Sequence, residues 1–165
     1  MNELYIARES SAEAPRLVRA VPFVAIGTAC IVGGGLIAAV TARNPTEHES
    51  WAVAFLVLVG GVAQIALGLG QALLATSVPA ARVIVMELAA YNAGSALVLV
   101  GTVVGKVLLT DVGGAILAIA LVLLFRGVRG EGGRGGWPVN LYRLLIAIVL
   151  VSIPVGLVLA HIRAA

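Results

Sequence analysis

The chain has 165 residues, 61% of them hydrophobic and 12% charged, with a formal net charge of +3. Together with a mean hydropathy of +1.08, that balance excludes a soluble globular domain as the whole chain. The small positive charge follows the placement of arginines between apolar blocks, so it reads as membrane topology, with no nucleic acid as partner.

Five apolar blocks run from Val18 to Val40, Trp51 to Ala75, Val83 to Gly105, Val112 to Phe125 and Val139 to Ala160. A helix needs about 20 mostly apolar residues to cross the hydrocarbon layer. The expected fold is therefore all-α: a single transmembrane domain over 1–165, an up-and-down bundle of five transmembrane helices. Their expected bounds are about 18–42, 47–76, 78–106, 110–126 and 138–162, with a Gly-rich loop at 127–136. The fourth block is short unless residues 107–111 are drawn in, and four helices is the alternative. A membrane barrel would alternate apolar and polar residues, whereas Leu117 to Phe125 is apolar on every side.

In chain order, Ser10 with Glu13 reads as a capping box for a short helix lying before the membrane, and Pro22 as a kink or restart point. The first seventeen residues lack an apolar signal region, which makes the first helix an uncleaved signal anchor. Cys30, the single cysteine, reads as a small apolar filler. Asn44 and Pro45 end the first helix. Thr46 with Glu49 forms a second capping box, and Trp51 marks the membrane interface. Ser77 is expected to cap the third helix, and Thr110 or Asp111 the fourth. The run 127–136 holds six glycines; Gly130, Gly132 and Gly135 match G-x-G-x-x-G literally, but without the strand a nucleotide fingerprint needs. Pro154 should bend the last helix and free the Leu150 carbonyl for Ser152 or a neighbouring helix.

Three small-residue pairs, Gly34 with Ala38, Gly101 with Gly105 and Gly156 with Ala160, predict close helix packing, within the chain or between copies. With the N-terminus inside, Arg8, Arg16, Arg19, Arg82, Arg126, Arg129, Arg134 and Arg143 lie on the cytoplasmic side, against Arg43, Lys106 and Arg163 outside. This predicts a cytoplasmic N-terminus and an external C-terminus. The preference for Arg over Lys, with abundant Gly, Ala and Val, points to the inner membrane of a bacterium.

Two constellations are candidates for chemistry. Gly61, Gln64, Gly68 and Gln71 share one face of the second helix. Glu87, Tyr91, Gly94, Val98, Gly101 and Gly105 form one stripe on the third, and Asn92, Ser95, Leu99 and Thr102 another. Gln71 and Glu87 fall at one depth, about 7 to 8 Å inside the boundary at 1.5 Å per residue. The buried polar site is thus Gln64, Gln71, Glu87, Tyr91, Asn92 and Ser95, read either as interhelical hydrogen bonding or as proton or cation handling. The second constellation gathers Glu47, His48, Glu49, Asp111 and His161 on the opposite membrane face, where two histidines with carboxylates can hold a divalent metal or haem. Its competing reading is helix capping and dipole compensation.

No G-x-S-x-G is present and neither histidine has a recognisable Ser or Cys partner in sequence, so an enzyme is not expected. The leading expectation is a non-enzymatic accessory or scaffold protein that meets the lipid bilayer and other membrane subunits or copies of itself. The alternatives are a small channel or transporter with a polar path at Gln64, Gln71, Glu87 and Asn92, and an outward-facing metal or haem site at His48 and His161.

Overall fold

A computed structural model describes the backbone of residues 2–75, 79–128 and 136–164, and the side chains of 16–75, 79–128, 136–158 and 161–162. Its helices are α1 (Asn2–Thr41), α2 (Glu47–Leu74), α3 (Ala81–Val103), α4 (Val107–Gly127) and α5 (Trp137–Ala164). Each contains a stretch long and apolar enough to cross a membrane. The described residues form no strand. The chain is a multi-pass membrane protein built as a helical bundle.

Glycine sets how the helices pair. In lipid no hydrophobic force drives helices together, so association rests on close backbone approach and interhelical hydrogen bonds. A Cβ placed at Gly94 would stand 2.6 Å from the Leu117 amide nitrogen on α4, and one at Gly113 would stand 2.6 Å from that of Val98 on α3. Gly101 continues the seam a further two turns along, with the Thr110 nitrogen at 2.6 Å from its would-be Cβ. No larger residue fits these crossings. The same device joins α1 to α2: Gly27 meets Ile65, Gly34 meets Val57, Gly61 meets Ile31 and Gly68 meets Phe23. Two antiparallel hairpins result, α1–α2 and α3–α4. Contact within each is dense and contact between them is much sparser, while α5 packs chiefly on α4.

The turns explain the helix bounds. Thr46 caps α2 as expected: its hydroxyl accepts the Glu49 amide at 3.2 Å, and its own amide donates to Glu49 Oε2 at 2.8 Å. At the far end of α3, Gly105 takes φ +67°, the left-handed conformation that glycine adopts without steric cost. The Lys106 amide then reaches back to the Gly101 carbonyl at 2.8 Å and the Gly105 amide to Thr102 at 3.3 Å. That pair is a Schellman ending.

The Schellman turn corrects the expected start of α4, because the chain reverses at once and the helix begins at Val107, before Thr110 and Asp111. The cap of α3 is likewise Ala80, with no side-chain cap bond; Ser77 lies outside the described residues. So do residues 129–135, which hold most of the expected Gly-rich loop and its G-x-G-x-x-G match. The short helix before the membrane and the break at Pro22 are not found: α1 runs unbroken from Asn2 to Thr41, so Ser10 lies inside a helix. In α5, Ser152 donates to the Val149 carbonyl at 2.7 Å, one residue before the expected Leu150. Leu56–Ala63 in the middle of α2 is a π-helical stretch that no residue pattern announced.

Candidate functional site

Seven residues separate Gln64 from Gln71, two helical turns that place both side chains on nearly the same face of α2. Both residues are fully buried. Gln71 lies three residues from the end of α2, and its Nε2 donates to Glu87 Oε2 on α3 at 2.7 Å. Glu87 is itself 2% exposed. This short bond links the first hairpin to the second, and its acceptor is an ionisable group inside a membrane-spanning helix. Such a residue is costly to insert, which makes the pair a candidate functional site.

Gly127, at the end of α4, closes over the pair. A Cβ there would lie 2.8 Å from Gln71 Nε2 and 3.7 Å from Glu87 Oε1, so the absence of a side chain makes room for the amide. Arg16 on α1 donates to the Ala75 carbonyl at 3.1 Å, fixing the end of α2 beside the site. Tyr142 on α5 packs its ring on Gly70 and directs its hydroxyl to the Leu124 carbonyl at 3.4 Å. All four transmembrane neighbours of α2 therefore contribute to this end of the bundle.

A second bond joins the hairpins nearer the middle. The Tyr91 hydroxyl donates to the Val59 carbonyl at 2.8 Å, and Val59 belongs to the π-helical stretch of α2. π-bulges cluster at functional sites, and their wider turns alter which backbone acceptors face outward. Here one such acceptor meets a buried phenol from the other hairpin. Tyr91 thus serves the same hairpin interface as Glu87 but bonds to the backbone, with neither Gln71 nor Glu87.

Several buried polar atoms in the described structure have no hydrogen-bond partner: both amide atoms of Gln64, Oε1 of Gln71, the Ser95 hydroxyl and the Thr110 hydroxyl. An orphan of this kind costs about 1 to 3 kcal/mol. Thr110 has a local explanation. Its hydroxyl lies against Gly101, where a Cβ would come within 2.6 Å, an approach typical of Cα–H···O contacts across glycine seams. Gln64 has none, for it is enclosed in the core that contains Leu67, Tyr91, Leu117 and Leu121.

Asn92 does not join the site. It is half-buried and bonds the Leu88 carbonyl of its own helix at 2.9 Å. Arg82, a sequence neighbour of Glu87, is exposed at the start of α3.

At the opposite end of the bundle the five residues of the second constellation do not assemble. Among the described residues no three of His, Cys, Asp and Glu are placed to hold a metal ion. Glu49 is occupied by the Thr46 cap, and Glu47 and His48 are exposed. His161 faces Asp111 at 3.5 Å and the Leu157 carbonyl at 2.9 Å, so both its ring nitrogens meet partners on α4 and α5. The two histidines make separate contacts, and the His161–Asp111 contact ties the end of α5 to the start of α4.

Between α2, α3, α4 and α5 at this same end lies a cavity of about 500 Å³. Its floor is Leu58, Val59, Leu117 and Val149, and its mouth carries His48, Trp51 and Thr102. The floor thus reaches the residue whose carbonyl accepts Tyr91. Neither the cavity nor Gly127 stands out in the sequence. Gly127 is hidden at the start of a glycine run, and the cavity residues are ordinary apolar positions whose convergence depends on helix rotation.

No protein-family model, curated protein or solved structure matches this chain.

Proposed function

We propose that this chain is a small transporter or channel that handles protons or small cations along a polar path between its two hairpins, with Glu87 as the titrating group. The observation that carries the reading is the buried carboxyl bonded across the hairpin interface by Gln71. One feature adds support: Gln64 sits on the same face of α2 with an unpartnered amide. Polar groups of this kind between transmembrane helices mark ion pathways and proton relays.

We place the protein in a bacterial inner membrane with its N-terminus in the cytoplasm and its C-terminus outside, on the eight-to-three distribution of basic residues. The cavity then faces outward and Glu87 lies near the cytoplasmic side. Reporter fusions at the two ends should signal opposite sides. Both ends on one side would refute the orientation.

An accessory or scaffold role, which composition alone favours, calls for a surface that binds another subunit. Of the three small-residue pairs, those at Gly34 and Gly101 already pack inside the chain, and only that at Gly156, where a Cβ would meet nothing within 4 Å, is left for such a partner. Asn92 leaves the path because its bond is local.

The test is reconstitution in sealed proteoliposomes containing a pH-sensitive dye, with an imposed potassium diffusion potential. Wild-type vesicles should acidify faster than empty ones, Glu87→Gln should eliminate the difference, and Asn92→Ala should retain it. Wild-type vesicles as tight as empty ones to protons, sodium and potassium would overturn the proposal and return the chain to an accessory role.

A further inference from the structure

The cavity between α2, α3, α4 and α5 has its own chemistry, independent of the proton path. Its volume of about 500 Å³ falls within the range of small-molecule sites, which are mostly apolar with a few placed polar groups. The polarity is graded along its depth. The floor, Leu58, Val59, Leu117 and Val149, is aliphatic, whereas His48, Trp51 and Thr102 stand at the mouth. Ser152 lines the wall, and its hydroxyl donates to the Val149 carbonyl, which leaves its oxygen able to accept a further bond. His48 is the one titratable side chain among the described lining residues. An ion entering the apolar floor would therefore be buried without a partner, at high cost.

We infer that this cavity binds an uncharged amphiphile, with its apolar body on the aliphatic floor and a hydroxyl group toward Ser152 and Thr102. Trp51 stacks on Phe55, with ring centroids 5.2 Å apart, and forms a flat aromatic wall for the apolar body. Gly156 keeps the space open: a Cβ there would meet nothing within 4 Å, although the residue lines the cavity. That gives a way to fill the site without disturbing a neighbour.

Trp51 also supplies the readout. In a Trp137→Phe background it is the remaining tryptophan, since the chain has two. The protein in lipid nanodiscs would be titrated with 2-bromo-1-undecanol, whose bromine, beside the hydroxyl, quenches indole fluorescence at short range. The expected result is saturable quenching above the linear background from probe dissolved in the bilayer. 2-Bromoundecane, which lacks the hydroxyl, should bind about three- to tenfold more weakly, the range one net hydrogen bond supplies. The anion 2-bromoundecanoate should show no saturable component. Gly156→Leu should remove saturation with the helical circular dichroism unchanged, and Ser152→Phe should do the same by filling the α5 wall one turn deeper. Quenching that stays linear in wild type, or that is equal in the filled variants, would overturn the inference, as would carboxylate binding as tight as alcohol. Nanodiscs of chain-brominated phosphatidylcholine provide the last arm. If lipid alone quenches Trp51 to saturation and undecanol cannot relieve it, the occupant is an acyl chain and the proposed ligand class is wrong.

Discussion

Replacing Gln71 and Glu87 singly and together should produce a strongly non-additive cycle. Their bond is 2.7 Å long and buried at both ends, so breaking it strands polar atoms away from water. Glu87→Leu removes the acceptor and leaves Gln71 with both amide atoms unpaired, because its Oε1 already has no partner. The cost should be about 1 to 3 kcal/mol. Gln71→Leu alone leaves a buried carboxyl without its amide donor and should cost at least as much. The double replacement leaves neither group stranded, and apolar pairs of similar shape are nearly neutral. It should therefore be more stable than either single variant. Interhelical hydrogen bonds in membranes couple by about 0.6 kcal/mol on average and 1.7 at most. The short, buried geometry places this pair toward the upper end, above about 1 kcal/mol. Glu87→Gln, which keeps an acceptor, should retain most of the stability. Reversible unfolding in mixed micelles, read by circular dichroism over a denaturing-detergent titration, measures all four. Additivity within about 0.5 kcal/mol, the behaviour of independent sites, would refute a working bond between the hairpins.

Four further outcomes follow from the packing. Gly127→Ala, by pressing a methyl onto the Gln71 amide, should lower the coupling in the same cycle by half or more, and an unchanged coupling would remove Gly127 from the site. Gly94→Ala should destabilise by about 1 to 3 kcal/mol through overpacking, since its Cβ would meet the α4 backbone at Leu117. Gly35→Ala, which meets nothing within 4 Å, should be neutral or slightly stabilising in the same unfolding assay. Gln64→Leu replaces two unpartnered polar atoms with apolar ones, so it should raise stability by about 1 kcal/mol or more while lowering the proteoliposome flux. Lost stability would mean that Gln64 has a partner in the membrane.

Much of this architecture is legible in the residues. Block length and apolarity locate five membrane helices, the Thr46 to Glu49 spacing fixes a helix start, and equal depth brings Gln71 to Glu87. Other features depend on geometry that sequence does not carry. The positive φ of Gly105 and its Schellman turn moved the start of α4 three residues earlier than a search for polar caps suggests, because a glycine ending makes a polar cap unnecessary. The π-helical stretch in α2 has no compositional mark: Leu56 to Ala63 reads as an uninterrupted apolar helix. Tyr91 shares a stripe with Glu87, yet the length of its side chain carries the hydroxyl to Val59 on the other hairpin. His48 and His161 share a membrane face, but helix rotation decides partners, and it gives His161 to Asp111.

The distribution of tight and loose contacts bears on where a functional change would occur. Within each hairpin, glycine seams bring backbones so close that sliding or rotation would drive Cα atoms together, and packed interiors resist continuous deformation. Between the hairpins the contact is sparser, crossed by the Gln71–Glu87 and Tyr91–Val59 bonds and bordered by the Gln64 orphan. A membrane protein selected for stability alone would place aliphatic side chains at Gln64 and Glu87, as it does at neighbouring Leu67 and Ile84. Instead it keeps an unsatisfied amide and a carboxyl at the interface best able to open. Under the proposed function, adding or removing a proton at Glu87 would change the charge state of a group that helps join the hairpins, and the glycine seams would confine the response to their separation. Transporters commonly move by such rigid-body rocking of one helical unit against another about a central polar site, and here the π-helical turn at Val59 places one of the two bonds where backbone hydrogen bonding departs from the α-helical pattern.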